Sequence, residues 1–183
     1  MRKYLFFIVC SVVLIACNKP EARRPVQQHS GSFIQESVER NKELYEQEEK
    51  IIQSVIDRDS LNEYKTSSSG FWYTYQIQDT IGNPTPAFGD IVTFTYDIQK
   101  LDGTQVLTEQ ETGLQRYAVD KTNQELISGI RDGIKLMKAG ERISFIFPSY
   151  KAYGYYGIEN KLGTNVPVKS TITLQTIKKQ TEN

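Results

Sequence analysis

The densest run of side chains capable of chemistry is "FIFPSYKAYGYYG", residues 145–157, where Tyr150, Tyr153, Tyr155 and Tyr156 follow an alternating apolar stretch and a proline. A phenol joins an apolar ring to a single hydroxyl, so it suits a place that is dry except at one point. The rest of the chain limits what could work beside it. Cys10 and Cys17 both lie near the start, and His29 is the only histidine. From residue 30 onward there is therefore no Ser-His-Asp triad, no Cys-His pair and no nitrogen or sulfur cluster for zinc. No metal and no cofactor is expected. Lysine plus arginine balances aspartate plus glutamate, 22 against 22, without a basic block, which gives nucleic acid nothing to bind. Neither GxGxxG nor GxxxxGK[ST] occurs, so no phosphate cradle is expected. What remains is chemistry with no covalent step: an apolar hollow that holds a polar group by one hydroxyl or one backbone N–H.

The elements that must position these residues follow from the periodicity. Residues 33–69 lack glycine and proline, and pairs four apart such as Glu36/Arg40 and Glu46/Lys50 favour helix. Apolar residues are sparse early and dense late. Val38, Tyr45 and Ile52 lie seven apart, but Asn41 and Glu48 spoil a regular coiled coil. The reading is a helical arm whose last turns dock on a domain, with a dimer helix as the alternative. "TSSSG" at 66–70 is expected to be a hinge. After Gly70 the period becomes two. Strands are expected at 71–78, 91–99, after the "DG" hairpin at 102–103, at 115–119, at 142–147 and at 170–177. One helix is expected near Asn123 to Lys138, with Ile127, Ile130, Ile134 and Met137 on a single stripe and Gly140 as its stop. Strands with one covering helix make an α+β domain.

The N-terminus sets the expected compartment. Arg2 and Lys3 precede a short apolar run through Ala16, too short to span a bilayer but suited to a secretory signal. It ends in "LIAC", which resembles the lipobox of bacterial lipoproteins, with Cys17 as the acylated residue. The organisation expected is a signal peptide over 1–16, an anchor and linker over 17–32, a helical arm and hinge over 33–69, and a domain over 70–183. Asn18 beside the anchor is not an aspartate. An outer-membrane lipid anchor facing the periplasm is therefore expected.

A cup without acid, base or metal can still assist one reaction, rotation about an amide. The barrier is about 18 to 20 kcal/mol because resonance gives C–N double-bond character, and at X–Pro bonds both isomers are populated. An apolar pocket removes the water that stabilises the charge-separated planar amide, and one donor can hold the carbonyl meanwhile. Residues 70–178 resemble the FKBP-type peptidyl-prolyl isomerases. The resemblance is carried by "GDIVTFTYDIQKLDGT" (89–104), "ELISGIRDGIKLMKAGER" (125–142), "FPSYKAYGYYG" (147–157), "VP" (166–167) and "STITL". With the lipobox, the arm and "GFWYTY", the chain further resembles gliding-motility lipoproteins of the GldI type.

The resemblance implies an FKBP-like curved antiparallel sheet packed on one short helix. It implies a peptidyl-prolyl cis-trans isomerase acting on proline-containing polypeptides, with partners in a motility or secretion assembly. It puts catalytic roles on Tyr153 and Tyr96. Substrate contacts fall on Tyr96, Val106, Tyr117, Leu126, Ile127, Ile130, Tyr153, Val166 and Leu174, with the Ile127 N–H as a carbonyl donor. The chain departs from the family where Val106-Leu107 replaces a Phe-Asp pair, Ile130 a tryptophan and Leu174 a phenylalanine. These departures imply weaker catalysis, a different preferred peptide, or a peptide-binding module with little turnover. Tyr150, Tyr155 and Tyr156 either join the rim or pack under their own loop. Trp72 is expected to pack on the sheet.

Overall fold

A computed structural model describes residues 30–121 and 125–180, with side chains from residue 33. The expected signal peptide, Cys17 and most of the linker lie outside the described residues. The chain divides into two compact units, Met1–Val38 and Glu39–Asn183. The sheet, its covering helices and the docked turns of the arm all belong to the second unit.

Helix α1, Ser30–Arg58, has the charged sequence that the arm required, with no glycine or proline from Phe33 onward. Most of its surface is exposed, and Lys42 and Glu46 pair along it at 3.8 Å. Its docked face begins at Tyr45 and Glu48 and runs through Ile52 into the last turns, where Val55 and Ile56 are half-buried. Glu48 and Ile52 are buried, and the Tyr45 ring meets Tyr150 edge-on at 4.9 Å between centroids. The segment expected to be a hinge is instead a hairpin. Lys65–Thr66 forms strand β1, paired with β2, Trp72–Ile77. The chain reverses between them through Ser67 N–H to Phe71 carbonyl (2.8 Å) and Gly70 N–H to Ser67 carbonyl (3.0 Å). Gly70 has φ +79°, and the Tyr150 hydroxyl occupies the space a Cβ would need, 2.6 Å away. Three serines and a glycine here serve a tight turn.

Among the described residues, eight strands form one antiparallel sheet. Besides β1 and β2 they are β3 (Ile91–Tyr96), β4 (Ile98–Lys100), β5 (Gln105–Leu107), β6 (Gln115–Ala118), β7 (Arg142–Phe147) and β8 (Val168–Lys178). The order is β1-β2-β7-β8-β3-β6, with β4 beside β8 and β5 beside β4. The single strand expected over 91–99 breaks at Asp97. Its carboxylate accepts the Thr171 N–H at 2.7 Å and its carbonyl accepts the Ser170 hydroxyl at 2.7 Å, which turns the strand. The "DG" hairpin forms as expected, with Gly103 at φ +89°. A short helix α2, Glu109–Thr112, was not foreseen, although "TEQE" is a capping box: Thr108 and Glu111 bond each other's backbone N–H. At the far end, Asp90 ties the start of β3 to the end of β8. The Lys179 ammonium at 2.8 Å, helped by two backbone N–H groups, holds its carboxyl down to about 2.

Helix α3, Ser128–Ile134, is much shorter than the helix expected from 123 to 138. Its stripe is real: Ile130 and Ile134 are fully buried, and Met137, beyond its end, is buried too. Ile127 precedes the helix as its cap residue. The helix lies against β7 because Gly129 and Gly133 face that strand. A Cβ on Gly129 would sit 2.6 Å from Phe147, and one on Gly133 would sit 3.0 Å from Phe145. Those two rings stack at 5.4 Å. Phe71, Phe94, Ile143, Ile172 and Leu174 complete the core between helix and sheet.

Gly129→Ala should therefore overpack this contact and cost about 1 to 3 kcal/mol. Urea unfolding would show a lower midpoint at unchanged slope, and an unchanged midpoint would mean that the helix does not rest on Phe147.

Candidate functional site

Where the end of β3, the start of α3 and the loop after β7 converge, the core meets the surface. Tyr96 closes β3, and its ring follows Phe94 on the same face at 6.0 Å. The Thr112 hydroxyl donates to the Tyr96 carbonyl at 2.6 Å, so α2 fixes that end of the strand. Ile127 stands at the head of α3 with extended backbone, φ −58° and ψ 149°. That geometry leaves its N–H outside the helical ladder. No hydrogen bond among the described residues uses it. Tyr153 lies in the loop that follows the 3-10 turn Ser149–Lys151.

That loop is tightly bonded for a segment without long regular structure. The Ser149 carbonyl accepts the N–H groups of Ala152 (3.0 Å) and Gly154 (2.9 Å), and the Gly154 carbonyl accepts that of Asn165 at 2.7 Å. Tyr153's own carbonyl accepts from Tyr156 and Gly157, each at 3.2 Å. Gly157, at φ +62°, lets the chain pass so close to residues 162–163 that a Cβ would fall 2.3 Å from the Leu162 carbonyl oxygen. Side chains fasten the loop to α3: Lys151 reaches Asp132 at 2.8 Å, and the Ser128 hydroxyl donates to the Lys151 carbonyl at 3.3 Å.

The residues singled out in the sequence share one apolar cluster. Val106, Tyr117, Ile130 and Leu174 are buried in it, while Tyr96, Leu126, Ile127, Tyr153 and Val166 are half-buried at its edge. The buried residues form a closed floor, and the half-buried ones are those that solvent can reach. Tyr117 belongs to the floor, and its hydroxyl accepts the Asp120 N–H at 3.0 Å, holding the turn where Asp120 has φ +56°. Burial pushes the Tyr153 hydroxyl well above the ordinary tyrosine value, and the neighbouring Tyr96 pushes it further. Burial alone raises Tyr96. That influence puts Tyr96 within electrostatic range of the Tyr153 hydroxyl. Neither hydroxyl is hydrogen-bonded to another group among the described residues. Two protonated donors and one backbone N–H thus edge an apolar surface. Each of these donors can hold a carbonyl oxygen, and none of them is a base that would take a proton.

The other tyrosines of the run are elsewhere. Tyr150 turns to α1 and donates its hydroxyl to the Gly70 carbonyl at 3.1 Å. Tyr155 and Tyr156 are 76% and 91% exposed and touch each other edge-on, so they do not pack beneath the loop. Sequence reasoning missed Lys151, Asp132 and Ser149, whose roles depend on partners distant in the chain. The pair Gly129 and Gly133, four apart, was a legible signal of close helix packing.

A family model described as FKBP-type peptidyl-prolyl cis-trans isomerase matches residues 82–175. Human peptidyl-prolyl cis-trans isomerase FKBP10 is 34% identical over 84 residues, 46% of this chain and 14% of that protein. The probable FKBP-type isomerase FkpA of Neisseria meningitidis serogroup B is 31% identical over 110 residues, 60% of this chain and 39% of that one. The chain thus spans well under half the length of either relative. Among solved structures, a peptidyl-prolyl isomerase of Pseudomonas syringae superposes with TM-score 0.58 at 20% identity, over 75% of this chain and 96% of that one. FkpA of Escherichia coli gives TM-score 0.57 at 19% identity, over 97% and 83%. These superpositions establish the likeness of fold.

The phenol assignment is open to direct titration. Following phenolate absorbance to high pH, Tyr153→Phe should remove a component that ionises above the ordinary tyrosine value of about 10. If the variant loses a component at or below that value, Tyr153 is not in a dry place.

Proposed function

The chain belongs to the FKBP-type peptidyl-prolyl cis-trans isomerase family, and we propose on that premise that it is a membrane-anchored isomerase assisting the folding of envelope or secreted proteins. The observation that carries the reading is the Tyr153 hydroxyl: half-buried, kept protonated by its dry surroundings, and edging the same apolar cluster as Tyr96 and the Ile127 N–H.

Rotation about X–Pro is slow because the planar form is stabilised by charge separation onto the carbonyl oxygen, which water solvates. The proline ring settles among the half-buried Tyr96, Leu126, Ile127, Tyr153 and Val166, which Ile130, Leu174 and Tyr117 support from beneath. There the amide loses that water and the planar form loses part of its advantage. Donors at the rim then hold the substrate carbonyl while the bond twists. Binding of this kind accelerates only to the extent that the twisted amide is held better than either planar one. No proton moves and no bond forms to the protein.

The anchor is part of the same proposal. Cleavage before Cys17 and acylation of its thiol would tether the chain, and two acyl chains hold stably where one does not. The outer membrane facing the periplasm is the location proposed, and the likeness to GldI-type lipoproteins suggests clients or partners in gliding motility. A second reading is favoured by one feature. The strand position after the "DG" hairpin carries Val106 and Leu107, both without charge or ring. A site so modified could bind peptides in a motility or secretion assembly with little turnover.

Two measurements test this. In a protease-coupled assay on X–Pro peptides, Tyr153→Phe should lower kcat/KM roughly 3- to 10-fold, the worth of one hydrogen bond. Peptide binding without any turnover by the unmodified protein would select the second reading. For the anchor, Cys17→Ser should move the protein from the membrane fraction to the soluble one. Continued sedimentation with membranes would refute lipidation at that residue.

A further inference from the structure

We propose that Glu48, on helix α1, is a positioning residue for the isomerase site, acting through Ser149 on the loop that carries Tyr153. The proposal rests on the isomerase reading of that site.

Glu48 is 3% exposed, an unusual situation for a carboxylate on a mostly solvated helix. Both of its oxygens are engaged by a single residue. The Ser149 backbone N–H donates to Oε2 at 2.8 Å, and the Ser149 hydroxyl donates to Oε1 at 2.5 Å. A carboxylate withdrawn from water is tolerated only with such charge-assisted donors, and a two-point contact admits essentially one orientation of the pair. Ser149 is itself 1% exposed, so it has no access to water in this arrangement.

Ser149 is where the tyrosine loop begins, two residues after β7 ends. Its third polar group works in the opposite direction. The carbonyl accepts the N–H of Ala152 and of Gly154, the residues on either side of Tyr153. One residue therefore converts a contact with α1 into the backbone conformation that aims the Tyr153 ring. The contact is reinforced next door, where Tyr45 meets the Tyr150 ring and Tyr150 donates to Gly70. The loop's other fastenings, Lys151 to Asp132 and Asn165 to Gly154, run to α3 and to the segment before β8. Glu48 thus supplies a side-chain restraint on the head of the loop from outside the isomerase fold.

Without the carboxylate, the Ser149 N–H and hydroxyl would be buried without partners, a costly state. The loop relieves it by letting Ser149 turn toward water, which displaces the Ala152 and Gly154 bonds and Tyr153 with them. A misplacement of this size can cost as much as a catalytic group does.

The test uses the full-length chain in detergent, with Glu48→Ala, Glu48→Gln and Ser149→Ala, each alone and combined with Tyr153→Phe. Two readouts are taken: kcat/KM on an X–Pro peptide, and amide hydrogen exchange at residues 152 and 154. Glu48→Ala should lower kcat/KM by no more than Tyr153→Phe does, roughly 3- to 10-fold, and accelerate exchange at those two amides, leaving the β7–β8 ladder unchanged. Glu48→Gln, which keeps the shape and one acceptor, should recover part of both. In the Tyr153→Phe background the loss in kcat/KM should vanish, because Glu48 acts through that hydroxyl. Unchanged exchange at 152 and 154, exchange that accelerates uniformly along the ladder, or a loss that adds to that of Tyr153→Phe would each overturn the proposal. If Glu48→Ala does not fold, Glu48→Gln and Ser149→Ala carry the same comparison. Absence of turnover in the unmodified protein would instead refute the isomerase reading, and exchange would then decide by itself whether Glu48 orders the loop.

Discussion

The close approach of α3 to β7 is the constraint on which the rest of the structure depends. Two residues without side chains, Gly129 and Gly133, let the helix backbone rest on the stacked rings of Phe147 and Phe145. Dispersion over such contacts is individually small and collectively large, and it falls off steeply with separation. A helix standing a methyl group higher would lift Ile130 and Ile134 off the sheet. It would also move Ile127, whose position at the helix head decides where its N–H points. The site is thus an edge of the core, and its precision is the precision of core packing.

The polar groups divide into two populations with different work. At the rim of the apolar cluster are uncharged donors, the hydroxyls of Tyr96 and Tyr153 and one backbone N–H. Around it are ion pairs, Lys151 with Asp132, Lys135 with Asp132 and Asp120, and the buried carboxylate of Glu48 on Ser149. The charges hold loops and helices in register from outside the dry surface. A charged group inside it would bring water or demand a partner, and either would wet the dry surface. The protein keeps its charges where they fasten and its neutral donors where they could act.

The arm and the domain are joined by the same logic. Ile52 contributes apolar burial, but that alone would leave the helix free to slide. Glu48 adds a directional contact of two hydrogen bonds on one residue. Tyr150, which the sequence grouped with the other tyrosines of its loop, belongs to this junction and not to the site.

Much was legible in the chain before any coordinates. The alternation of "IVTFTY" and "RISFIF" determined strands with one apolar face, because side chains alternate across a pleated sheet. The stripe Ile130, Ile134, Met137 determined which residues face the core, and the tyrosine, "ELISG" and "AYG" segments named residues that lie in the domain's apolar core or at its edge. The helix length was misjudged because an apolar stripe persists in a turn as well as in a helix, and the "TSSSG" hinge proved a hairpin because serine and glycine serve both. Only the tertiary structure decided that Glu48 meets Ser149, that Lys151 meets Asp132, that Asp97 breaks a strand, and that Tyr155 and Tyr156 face water. Periodicity records which side of an element is apolar, since burial repeats with the local geometry. A hydrogen bond between residues 101 apart leaves no periodic trace, because its distance is set by how the elements pack and not by the chain between them.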